Sequence, residues 1–106
     1  MAKYLIKANY TAEGAKGFAR DGGTARRAAV EKMLASVGGK LEAFYFAFGD
    51  TDLYVIADLP DHSAAAAIAL AVAQSGKAAT NTVVLLTAEE MDAASRKTVA
   101  YQPPGG

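Results

Sequence analysis

Between Lys3 and Tyr10 the side chains alternate, with Tyr4, Ile6, Ala8 and Tyr10 on one parity and Lys3, Leu5, Lys7 and Asn9 on the other. A period of two is that of a strand. At Thr11 the period changes. Apolar residues fall at helical spacing through Phe18, and Ala25, Ala29, Met33 and Val37 form a second stripe. With the Thr11 hydroxyl as N-cap, this spacing predicts a long first helix over 12–36. Gly22 and Gly23 interrupt it, at roughly 1 kcal/mol each against alanine in a helix interior. Either the helix bends there or Thr24 caps a second one. Gly38-Gly39 then ends it with the left-handed geometry that glycine adopts freely.

Two apolar runs follow, 40–48 and 53–59, joined by the polar break Gly49-Asp50-Thr51-Asp52. The break is short enough for a hairpin, which predicts antiparallel neighbours. Pro60 stops the third strand, and Asp61 or Ser63 is placed to cap a helix that runs to about Ser75 and closes at Gly76. Thr80 to Thr87, TNTVVLLT, is rich in β-branched residues and predicts a fourth strand. AEEMDAASRK reads as a short charged helix, and YQPPGG, residues 101–106, as a flexible tail behind a single domain of residues 1–100.

The order βαββαβ is that of the ferredoxin-like α+β class, a four-stranded antiparallel sheet with two helices on one face. Its other face is left bare, so each strand should alternate apolar and polar residues. Strand two does not. It sets Leu41, Ala43, Tyr45 and Ala47 against Phe44, Phe46 and Phe48, and strand three sets Leu53, Val55 and Ala57 against Tyr54 and Ile56. An apolar face of several hundred Å² is more than soluble monomers usually expose, which predicts a second sheet covering it: at least a homodimer. AAAAIALAVA in the second helix has no polar stripe either, so a further contact there could build a larger ring or cage. Surface alanine that is merely tolerated is the competing account.

Composition narrows the function classes. A chain of 106 residues is one domain. Charged residues make up 21% and cancel to a formal zero, which disfavours nucleic acid as a partner. Absence of cysteine removes disulfides, thiolate metal sites and thiol nucleophiles. The N-terminus lacks a signal-peptide pattern, and the longest apolar run, Ala64 to Ala73, is about half a bilayer crossing. A cytoplasmic protein without a membrane role and without a cofactor of its own is the expectation.

Candidate chemistry is sparse. His62 is the single histidine and could accept a proton or ligate one metal or haem, with Asp58 and Asp61 near it in sequence. A solvated first-turn histidine is the plainer reading. Asp50, Asp52 and Asp58 are poorly spaced for a divalent cation, so no metal site is expected. Hairpin aspartates usually accept backbone N–H groups, and Asp52 would then fix the hairpin. The RDGGTARR segment, Arg20 to Arg27, could hold a phosphate or carboxylate but lacks the P-loop pattern, and a helix kink with solvated arginines is the alternative. On the open sheet face, Lys7, Asn9 and a tyrosine such as Tyr45 or Tyr54 could line a pocket between paired sheets. Lys7 could equally be neutralised by Glu42 across the assembly.

GGKLEAFYFAFGDTDLYVIADLPDHSAAAAIALAVAQSG with TVVLLTAEEMDAA, and before them KYLIKANYTAEGAKG and RDGGTARRAAVEKMLASVGG, resemble the GYD domain family of small bacterial and archaeal proteins over nearly the whole chain. The resemblance implies a ferredoxin-like fold related to dimeric α/β barrels and leaves the biochemical role unassigned. The family's Gly, Tyr, Asp signature falls on Gly49, Thr51 and Asp52, with threonine in the tyrosine's place. A role that depends on a phenol there does not carry over. Fold relatives include cofactor-free monooxygenases, haem-dependent enzymes and amino-acid-sensing regulatory domains, an analogy of fold alone. The reading is therefore a homo-oligomeric structural or ligand-binding module with a small molecule held between subunits near Lys7, Tyr45, Asp52 and His62. The alternative is a cofactor-free or haem-assisted oxidoreductase, which needs His62 or Lys7 buried beside a cavity.

Overall fold

A computed structural model describes all of residues 1–106. Alternation in the first segment builds β1 (Ala2–Tyr10), and the long helical stripe is cut into α1 (Ala12–Asp21) and α2 (Gly23–Ser36). Gly22 makes the cut: its φ of 88° is closed to most side chains, and its N–H still reaches the Phe18 carbonyl at 2.8 Å. Thr24 is thus inside α2, and the residue before the helix is Gly22. Next come β2 (Lys40–Phe46), β3 (Leu53–Leu59), α3 (His62–Ser75), β4 (Ala78–Leu85) and α4 (Ala88–Ser95).

Of the two cap candidates for α3, Asp61 takes the role, accepting the Ala64 N–H at 2.8 Å. Strand four ends two residues earlier than TNTVVLLT predicts because the Thr87 hydroxyl is spent elsewhere. It accepts the Glu90 N–H while the Glu90 carboxylate accepts the Thr87 N–H, a reciprocal pair that starts α4.

All four strands pair antiparallel in the order β2-β3-β1-β4. Tyr4, Ile6 and Ala8 of β1 and Leu53, Val55, Ala57 and Leu59 of β3 are buried with Val30 and Leu34 of α2 and Ala64, Ala65 and Ile68 of α3. One face of the sheet therefore carries the core. An irregularity in β2 between Leu41 and Ala43 changes the parity expected from simple alternation: Leu41 pairs with Ala57, but Ala43 pairs with Ile56 on the opposite face. Leu41 consequently joins Phe44 and Phe46 under the helices. Aromatic rings continue that layer, with Tyr10 stacked on Phe18, Phe18 on Phe46, and Phe44 edge-on to Phe46 at centroid distances of 5.5, 4.7 and 5.1 Å.

Beyond Leu85 the chain leaves the body. No residue of α4 is buried, residues 88–106 are exposed throughout, and the longest dimension reaches 56 Å against 33 and 24 Å. No helix is long and apolar enough to cross a membrane.

Candidate functional site

Register across the sheet brings several of the singled-out residues into one row. On the face away from the core, Asn81 of β4 lies opposite Lys7, Lys7 opposite Tyr54, and Tyr54 opposite Tyr45. Directly opposite residues share a face with Cβ atoms about 4.5–5.5 Å apart, so this is a continuous polar and aromatic band. A parallel band lies beside it: Val83, Leu5, Ile56 and Ala43. Tyr45 is 72% exposed and Tyr54 39%. Lys7 has no carboxylate within ion-pair distance, and Glu42, considered above as its partner, is taken by Lys3 together with Asp58. Those two carboxylates raise the Lys3 ammonium above the usual lysine range, the hydrogen bond to Glu42 first and that to Asp58 second.

Asp52 lies at one end of the sheet and His62 at the other, since β3 pairs Leu53 with Ala8 and Leu59 with Ala2. The Asp52 carboxylate accepts the Tyr10 N–H at 2.9 Å. Its own N–H is donated to the Ala8 carbonyl and to the Asn9 side-chain oxygen. It thereby ties the hairpin to the end of β1. At the other end, His62 Nδ1 is 2.6 Å from the hydroxyl of Tyr4, a side chain only 1% exposed. The two aspartates near His62 in sequence are engaged elsewhere: Asp58 pairs with Lys3 and Asp61 caps α3. No group of three or more histidine, aspartate or glutamate side chains is close enough to hold a metal.

Under the helices lies a concavity that alternation along the chain does not announce. A cleft of about 520 Å³ opens between the α1–α2 pair and α3, and a recess of about 50 Å³ continues it toward the core. Tyr10, Arg26, Met33, Val72 and Ala78 line both. Neither His62 nor Lys7 lines either one. The Tyr10 hydroxyl is buried and no group meets hydrogen-bond geometry with it. Burial raises the Tyr10 phenol above its ordinary range; the charge of the nearby Arg26 and its guanidinium donors oppose the shift, and Asp52 adds a smaller push upward. In the sequence only the arginines of RDGGTARR pointed this way. Tyr10 was legible solely as the last residue of a strand.

No curated protein and no solved structure matches the chain. The GYD domain family model, in contrast, matches residues 4–95, which is most of its length. The chain belongs to the GYD domain family.

Proposed function

We propose that this protein is a homo-oligomeric module of the ferredoxin-like type that pairs its open sheet face with that of a second copy, as in dimeric α/β barrels, and holds a small ligand between the subunits. The observation that carries the reading is surface area. A compact monomer of 10.9 kDa is expected to expose about 5,600 Å², whereas this chain exposes 7245 Å². The excess, about 1,600 Å² on one chain, is about twice what each partner buries in a standard interface, and two copies covering it would form an interface of about 3,200 Å², in the range of obligate dimers. Dimensions agree, for the radius of gyration is 16.8 Å where about 13 Å is expected of a compact chain of this length.

Apolar side chains at least partly open to solvent sit in two regions. One is the open face with Leu5, Ile56, Tyr45, Tyr54 and Val83. The other is the arm that begins at Leu86, whose Met91, Val99 and Tyr101 are 54, 77 and 73% exposed. An eight-residue helix is marginal by itself in water, so α4 needs a surface to lie on, and a second copy provides one. Between paired sheets, Lys7 with Tyr45 and Tyr54 would offer one cation and two phenols to a ligand in an otherwise apolar space.

Native mass spectrometry of the untagged protein tests both parts. A species of two or more 10.9 kDa chains carrying an added small mass is expected. A bare multimer removes the ligand and keeps the assembly, and a monomer overturns both.

A further inference from the structure

We propose that the cleft between the α1–α2 pair and α3 is a binding site for a small apolar carboxylate, gripped by Arg26 and the Tyr10 hydroxyl where the cleft meets its inner recess. The site lies on the other side of the sheet from the face proposed to pair, and stands whether or not that pairing occurs.

Three features of the cleft converge on this ligand class. First, size: about 520 Å³ falls within the roughly 300–1,000 Å³ of ordinary small-molecule sites. Ala25 and Ala29 of α2 and Ala71 of α3 keep its mouth open, and Phe18, Met33 and Val72 give it apolar walls. Second, charge: three cations line it, of which Arg20 is held by Asp21 at 3.2 Å and Lys77 by Glu13 at 3.3 Å. Arg26 has no carboxylate partner and is half-buried. A guanidinium presents a planar fork that matches a carboxylate with two parallel hydrogen bonds. Third, a poorly satisfied hydroxyl: the Tyr10 OH is out of water and meets no partner at good hydrogen-bond geometry, Arg26 being the cation beside it, and native proteins rarely leave such a group unsatisfied. A phenol is protonated at neutral pH in any case, and burial shifts its pKa further up. A carboxylate entering beside Arg26 accepts from both groups, and its hydrocarbon portion fills the space between α2 and α3.

A neutral ligand would leave the Arg26 charge unmatched, and a bare inorganic anion would leave the apolar walls wet. The site therefore distinguishes an acid from its amide and a long acid from acetate.

The test is titration of the full-length protein with 3-phenylpropionate and octanoate, each alongside its primary amide and acetate, followed by backbone amide NMR shifts. Saturable shifts at Tyr10, Arg26, Met33 and Val72 are expected with the two acids, and at least tenfold weaker binding of the amides and of acetate. Arg26→Gln and Tyr10→Phe should each weaken the acids at least fivefold, and Arg26→Lys should fall between. Ala71→Leu, which narrows the cleft from α3 and leaves both donors in place, should also weaken them. Equal binding of acid and amide by the unmodified protein overturns the proposal, and so does the absence of saturable binding. Shifts confined to the open face around Tyr54 refute it as well. Should Arg26→Gln fail to fold, the acid–amide comparison and Arg26→Lys still decide.

Discussion

Gly14→Ala should destabilise the protein by about 2–3 kcal/mol, although an alanine in a helix is ordinarily worth up to about 1 kcal/mol over glycine. A Cβ built on Gly14 would lie 1.9 Å from the Lys77 carbonyl oxygen and 2.8 Å from its carbon, both backbone atoms that cannot swing aside. The N-terminus of α1 would have to lift from the start of β4. That junction is dense: the Thr11 N–H donates to the Lys77 carbonyl at 2.9 Å, and the Thr11 hydroxyl reaches the Gly76 and Lys77 carbonyls at 3.1 Å. Overpacking alone costs about 1–3 kcal/mol, and each hydrogen bond weakened adds about 1 kcal/mol, so the loss outweighs the helical gain. Gly17, three residues along the same helix, is the control because its Cβ would meet nothing within 4 Å; Gly17→Ala should stabilise by up to about 1 kcal/mol. Urea unfolding at one fixed protein concentration measures both, since association shifts apparent stability. Equal effects of the two substitutions, or a neutral Gly14→Ala, would refute the close approach of α1 to β4.

Other consequences follow from single contacts. His62→Ala removes the partner of the buried Tyr4 hydroxyl and should cost about 1–3 kcal/mol in thermal or urea unfolding; adding Tyr4→Phe to it should recover part of that loss. Asp52→Ala frees the Tyr10 N–H and should cost about 1.5–3 kcal/mol, with hydrogen exchange faster at the end of β1. The Asp61 carboxyl is held below its usual range by the Ala64 N–H and then the Ser63 hydroxyl. Its folded pKa lies under the unfolded one, so the stability it contributes is complete above the ordinary carboxylate range and is lost as pH falls through the folded value. Asp61→Asn should accordingly flatten the acid limb of a stability–pH curve.

Much of the fold was legible because its signals are local. Alternation from Lys3 to Tyr10, the glycine pair in the first helix, Pro60 followed by Asp61, and β-branched residues before Leu85 each announce an element or its end. The open face was legible too, in the apolar Tyr54 and Ile56 set against Val55 and Ala57. What escaped depends on partners far apart in the chain. An irregularity at Glu42 moved Leu41 to the core face, which a strict period of two does not anticipate. His62 was the obvious chemical candidate, but its partner is Tyr4, 58 residues away. A turn-fixing role for Asp52 was readable from its place in the hairpin. The cleft was hidden because alanines on α2 and α3 look the same whether they pack closely or leave space.

The central claim, that the open face is covered by a second copy, is tested most directly by sedimentation equilibrium of the unmodified protein beside Ile56→Lys. Ile56 lies on the inner strand β3, between Leu5 and Ala43 on the open face, so a charge there opposes burial without entering the core. The account predicts at least twice the 10.9 kDa chain mass for the unmodified protein and a single chain mass for the variant. A monomeric parent protein, or a variant that assembles as its parent does, would contradict it.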